Sequence, residues 1–144
     1  MPIRPQHRWL YPIDWPQLTD MIRFKRAGGR CEQCRRPHGQ VVNHLVDGRW
    51  WCDETSRWKD DHGRLMRLRT PPALLGVEIR TTKVVLATAH LDNNPSNNET
   101  ANLKALCQRC HIIHDRPEHL RRRRLGFLMS KALGDLFDGI YRFP

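Results

Sequence analysis

The hydrophobic positions of this chain change period twice. Leu18, Met21 and Ile22 recur at the spacing of one helix face behind Asp14-Trp15-Pro16-Gln17, where Asp14 can cap, Pro16 fits a first turn and Gln17 completes a capping box. Gly28-Gly29 ends that helix, and Pro2, Pro5 and Pro12 predict an irregular arm over residues 1–13. Residues 35–75 have no firm period. Val41 and Val42 can open a short strand, Trp50-Trp51 can serve as an apolar cover, and Asp53 to Arg69 is heavily charged, so the stretch reads as an insertion. From Gly76 the period becomes two: Val77, Ile79, Val84, Leu86 and Thr88 alternate with their neighbours around Thr81-Thr82, predicting a hairpin or one bent strand. Asn93 to Thr100 has the composition of a loop, and Asn102 to Leu106 is a second short strand. A helix is expected from about Gln108 to Asp115 and a break near Pro117. A more basic helix follows from about Glu118 to Leu133, ended by Gly134. Leu136, Phe137, Ile140, Tyr141 and Phe143 make a tail apolar enough to fold back.

This is an α+β pattern, and 144 residues suffice for a single domain with a modest core. Charge adds a partner. A net charge of +10 and an isoelectric point near 10.1 exceed what solubility requires and point to a polyanion. The excess sits in residues 1–30 and 116–144, whereas residues 76–115 balance their charges, as expected if basic flanks hold phosphates around a centre that holds a cation. No run approaches the roughly 18 apolar residues that cross a bilayer, so no membrane role is expected. Met1 to Leu10 is polar and basic, unlike a secretory leader, and the expected compartment is cytoplasmic and reducing.

In a reducing compartment, two C-x-x-C pairs read as a metal site rather than as disulfides. Cys31, Cys34, Cys107 and Cys110 are four thiolates at knuckle spacing, the set that tetrahedral zinc prefers, and a metal joining them would clamp the ends of a long loop. Cys52 is left over as a buried bystander. Cys107, Cys110, His111 and His114 fall at i, i+3, i+4 and i+7, one stripe of one helix, so either histidine is an alternative ligand. Four cysteines are preferred because they leave His111 for a second ion.

The segment from Val84 to His114 runs strand, loop, strand, helix, with His90 ending the first strand, Asn102 opening the second and His111 on the helix after the second cysteine pair. In this order, with eight residues between Asn102 and His111, it resembles the HNH endonuclease family. The resemblance covers about a third of the chain closely, and Cys31 with Cys34 extends it. It implies a ββα-metal, treble-clef-like core over residues 76–116. The helix and first zinc knuckle would occupy 14–34, the insertion 35–75, and a basic helix and tail 117–144. It further implies hydrolysis of double-stranded DNA with Mg2+ or another divalent cation, beside a structural Zn2+, in a bacterial or phage-encoded protein. His90 would be the general base, His111 a ligand of the catalytic cation, and Asn102 the residue that steadies the loop or the His90 ring.

The family's commonest pattern has Asp or His directly before the base, where this chain has Ala89. Asp92, two residues after His90, shares its face if the strand continues and is the expected carboxylate ligand. Arg121, Arg122, Arg123 and Arg124 are the expected phosphate contacts, although four successive positions span more than a helical turn and cannot all meet one strand. The alternative is a noncatalytic, zinc-organised DNA-binding module in which Ala89 marks lost metal-dependent cleavage. A zinc nucleobase deaminase is rejected, because its His-x-Glu and its Pro before the cysteine pair are replaced by His90-Leu91-Asp92 and Leu106. Oligomeric state and cut-site sequence are not encoded legibly.

Overall fold

The computed structural model describes residues 5–137. Strands β1 (Val41–His44), β2 (Trp50–Cys52), β3 (Arg57–Lys59) and β4 (Arg80–Lys83) form one antiparallel sheet in the order β3-β2-β1-β4. Strands β5 (Leu86–His90) and β6 (Leu103–Cys107) form a second, two-stranded sheet, and β6 runs straight into the long helix α2 (Gln108–Phe137). The chain divides into two compact units, residues 1–111 and 112–144. Among the described residues no helix is long and apolar enough to cross a membrane.

Residues 35–75, read from sequence as an insertion without firm period, contain three of the four strands of the larger sheet. These strands escape notice because each is three or four residues long and both sheet faces are covered, so polar residues do not alternate cleanly with apolar ones. On one face, register aligns Arg80, His44, Trp50 and Lys59 across the four strands. Trp50 on that face packs with Val42 and Cys52 into the core that holds the other four cysteines. Trp51 and Trp58 occupy the opposite face, join Leu45, and are covered by Met66, Leu68, Leu75 and Ile79. The expected hairpin or bent strand around Thr81-Thr82 is neither: it is two strands of different sheets, since β4 pairs with β1 and β5 pairs with β6.

The N-terminal helix α1 (Trp15–Asp20) continues through wider turns over Met21–Arg26, and Gly28 and Gly29, at φ of 59° and 69°, end it as expected. Pro16 sits in the first turn, but Asp14 makes no capping bond with its side chain, so the predicted capping box is not formed. The arm is not wholly irregular either: Pro5–Leu10 winds as a 3-10 turn, which an initial proline tolerates. Ile22 and Ala27 from this region pack on Leu103 and Ala105 of β6, with Trp15 and Leu18 alongside.

Pro117 does not break the C-terminal helix. It lies inside the continuous α2, and Gly134 lies inside it as well. Proline removes one backbone bond, but Ile113, whose carbonyl is orphaned, is exposed, so that carbonyl can turn to water while Glu118 to Leu125, all but His119 strong helix formers, carry the helix on. The expected return of the tail lies outside the described residues.

Candidate functional site

The sharpest feature is a buried cluster of sulfur. Cys31 and Cys34 are fully buried, Cys107 and Cys110 nearly so, and the four Sγ atoms lie within 4.8 Å of one another. Tetrahedral zinc at about 2.3 Å from each sulfur requires sulfur separations of about 3.8 Å. Cys34 and Cys107 are 3.5 Å apart, so modest adjustment meets that geometry. Among the described residues this quartet is the group of three or more His, Cys, Asp or Glu side chains whose donor atoms converge, and neither His111 nor His114 joins it. The four cysteines, all unpaired by disulfides, can hold a metal ion such as zinc. Cys52 lies in the same core outside the quartet, as expected for a bystander.

Local backbone geometry explains the convergence. After Gly29 the chain turns sharply: Arg35 N–H bonds to the Cys31 carbonyl, Cys31 N–H to the Arg36 carbonyl, and Arg35 adopts φ of 66°. This knuckle is stitched to β6, because Glu32 N–H donates to the Ala105 carbonyl and the Ala105 N–H donates to the Glu32 carboxylate. Cys107 ends β6 and Cys110 lies in the first turn of α2, where helix-end N–H groups favour thiolates. The Cys107 N–H also donates to Cys31 Sγ at 3.3 Å. Among the thiols, a hydrogen bond with Cys107 foremost pulls Cys31 below its ordinary value, and one with Cys110 foremost lowers Cys107 to about 6. Hydrogen bonds with Cys107, foremost, push Cys34 and Cys110 up.

A cation stands behind the cluster. Arg36 is only 4% exposed, donates to Cys34 Sγ at 3.6 Å and to the Gly48 carbonyl at 3.0 Å, and lies over the Trp50 ring. The Trp50 indole donates to the Cys34 carbonyl. A dication on four thiolates keeps a net charge of −2, which this guanidinium partly offsets. Arg36→Met is accordingly expected to weaken zinc binding by about tenfold or more, read by competition with a chromophoric chelator. Unchanged affinity would deny Arg36 that role. The approach is tight: Gly48 has φ of 98°, and a Cβ there would collide with the Arg109 guanidinium. Sequence reading missed Arg36 and Trp50, because nothing in their spacing relates them to the cysteines.

The second feature is a histidine at a strand end. His90 closes β5, as expected, and its ring stacks on Trp15 with centroids 5.4 Å apart and planes 5° from parallel, while Tyr11 meets it edge-on. Its Nε2 lies 3.0 Å from Asn98 Oδ1. Asn98 uses its amide N–H groups on the Leu10 carbonyl at 2.9 Å and the Ser96 carbonyl at 3.4 Å, so its oxygen must face the imidazole. Nε2 is then the donor, and the lone pair of the neutral ring is on Nδ1. Asn98, read from sequence as a turn former, is thus the side chain that orients His90, whereas Asn102 serves the loop. Asn102 donates to Asp92 and to the Asn97 carbonyl, and accepts from the Asp92 N–H.

Asp92 does not continue the strand. A turn bond from Asn93 N–H to the His90 carbonyl bends the chain away after β5 ends at His90, so the expected sharing of one strand face is lost. Its exposed carboxylate accepts from Asn102, the Asn94 N–H and Asn97, which, with Asn102 foremost, hold its pKa at about 2. Both oxygens accept loop hydrogen bonds, two on Oδ1 and one on Oδ2, which hold the carboxylate to the loop. His111 follows Cys110 in the first turn of α2 and is half-buried. Neither it nor Asp92 belongs to a converging group of three donors among the described residues. Ala89 is buried in the core shared with the cysteines, so a charged residue there would enter apolar packing.

Arg121, Arg122, Arg123 and Arg124 are exposed on α2. Arg121 makes a forked pair with Glu118, which Arg122 also reaches, so two of the four expected phosphate contacts already have an anionic partner. Compared with family models, curated proteins and solved structures, the chain matches none of them.

Proposed function

We propose that the chain is an HNH-type endonuclease that hydrolyses DNA phosphodiester bonds, with a structural zinc on Cys31, Cys34, Cys107 and Cys110 and His90 as general base. The carrying observation is one continuous piece of backbone. β5 ends on His90, an Asn-rich loop is tied by Asn102, and β6 delivers Cys107, Cys110 and His111 into the first turn of α2. Metal on the thiols anchors one end of this hairpin, and the histidine stands at the other. With Asn98 fixing its orientation, the His90 ring takes a proton from water, and the resulting hydroxide attacks phosphorus in line as the bond to the leaving sugar oxygen breaks. A divalent cation would supply stabilisation of the phosphate charge. The Asp92 carboxylate serves the loop, so no step is assigned to it. The basic surface supplies phosphate attraction.

The engagement of both Asp92 oxygens favours a second reading, a zinc-organised DNA-binding module without cleavage. Ala89 alone does not favour it, since that position faces the core. Supercoiled plasmid incubated with purified protein and Mg2+ or Mn2+ separates the two: nicking that depends on added cation supports the nuclease, and salt-sensitive binding without nicking under either ion supports the module.

A further inference from the structure

We infer that residues 64–70 present a rigid arginine comb, Arg64, Arg67 and Arg69 with Arg35 beside it, that grips the phosphate backbone of duplex DNA. This rests on the nucleic-acid reading above and names the surface that engages the substrate.

The segment is held as a scaffold rather than as a loose loop. Arg64 forms the far side of a tight turn whose Asp60 N–H donates to its carbonyl, Leu65 bridges to Lys59 at the sheet edge, and the Met66 N–H donates to the Trp58 carbonyl at 2.8 Å. At its other end the buried Trp58 indole donates to the Thr70 carbonyl at 2.7 Å. Met66 and Leu68 turn inward onto Trp51 and Trp58, which leaves Arg67 and Arg69 outward by alternation, and Arg64 is exposed as well. The Arg35 side chain lies against Gly63, within 2.7 Å of where a Cβ would stand, which sets a fourth exposed guanidinium beside the turn.

Charge balance makes the comb available. From His62 to Val77 the chain has no acidic residue. Two carboxylates, Asp60 and Asp61, precede that stretch, and Asp60 is turned onto the backbone N–H groups of His62 and Arg64. Among the described residues, Arg64, Arg67 and Arg69 take part in no salt bridge, in contrast to Arg121 and Arg122. Guanidinium groups whose backbone is already fixed lose less freedom on meeting phosphate, so the comb is the better phosphate surface of the two. The apolar residues that cover Trp58 explain why the segment is ordered, and the arginines explain why its outer edge is so basic.

The test is the salt dependence of binding to a short duplex, measured with the full zinc-loaded chain. Each phosphate contact removed flattens the plot of log affinity against log salt by about 0.9. An Arg64→Ala, Arg67→Ala, Arg69→Ala triple variant is expected to lower the slope by about 2 to 3, and the Lys triple to restore it. A double Arg67→Gln, Arg69→Gln variant, which keeps more of the hydrogen-bonding surface, should lower it by about 2 if the Ala triple fails to fold. A wild-type slope in the folded Ala or Gln variants, while wild-type protein binds DNA, overturns the comb and leaves the nucleic-acid reading standing. Absence of salt-sensitive binding by the wild type overturns both.

Discussion

Chelating the metal from residues 1–111 is expected to abolish their cooperative thermal unfolding. Two of the four thiols come from a knuckle near the N-terminus and two from the β6–α2 junction, so one ion joins chain segments more than 70 residues apart. The same thiols sit in a core with Val42, Trp50, Val84, Leu86 and Leu106, and that core spans both sheets. Structural zinc contributes on the order of 10–16 kcal/mol in small domains, whereas a whole domain of this size is stable by about 5–15 kcal/mol. Removing the ion therefore removes a quantity comparable to the entire folding free energy. The measurement is circular dichroism melting before and after a strong chelator, with metal content determined alongside. One zinc per chain and a lost transition are expected, with Cys34→Ser behaving like the chelated protein and Cys52→Ala retaining its zinc. A metal-free protein that melts cooperatively at an unchanged temperature would refute the clamp. Affinity should also weaken as pH falls, because protons compete for the thiolates.

Replacing His90 with alanine should lower cleavage by about a hundredfold to ten-thousandfold while leaving DNA affinity within a few-fold. The ring also packs between Trp15 and Tyr11, so truncation opens a gap, and a melting curve must accompany the assay. Asn98 provides the cleaner probe. Asn98→Ala removes the acceptor that fixes the tautomer and should cost part of the rate without deleting the base. Asn98→Asp puts an anion beside the same nitrogen, favours the protonated ring, and should move the acid limb of the rate profile to higher pH. Equal cleavage by His90→Ala and wild type would show that another group activates water.

Local patterns carried a good deal of this. Val84 to His114 reads correctly as strand, loop, strand and helix, because two short, largely apolar runs flank an Asn-rich loop and both bury residues in the core. The two cysteine pairs converge as their spacing suggests, because a C-x-x-C turn leaves two sulfurs on one side of the backbone. The short strands of residues 41–59 leave no such pattern, and at Pro117 the strong helix formers on its C-terminal side outweigh the single lost backbone bond.

The sequence by itself determined that β5, β6 and the start of α2 follow one another across an Asn-rich loop, that four cysteines can form one set able to hold a metal, and that the chain is basic. Spacing encodes these, since each depends on residues within a turn or two of one another or on composition. Only the tertiary structure decided that Arg36 backs the thiols, that Asn98 rather than Asn102 faces the imidazole, and that Tyr11 and Trp15 hold that ring. It also turned Asp92 into the loop and left Arg64, Arg67 and Arg69 exposed on a pinned segment. Those relations join residues that chain closure brings together across long sequence gaps, or depend on which way a turn rotates a side chain, and neither leaves a periodic trace.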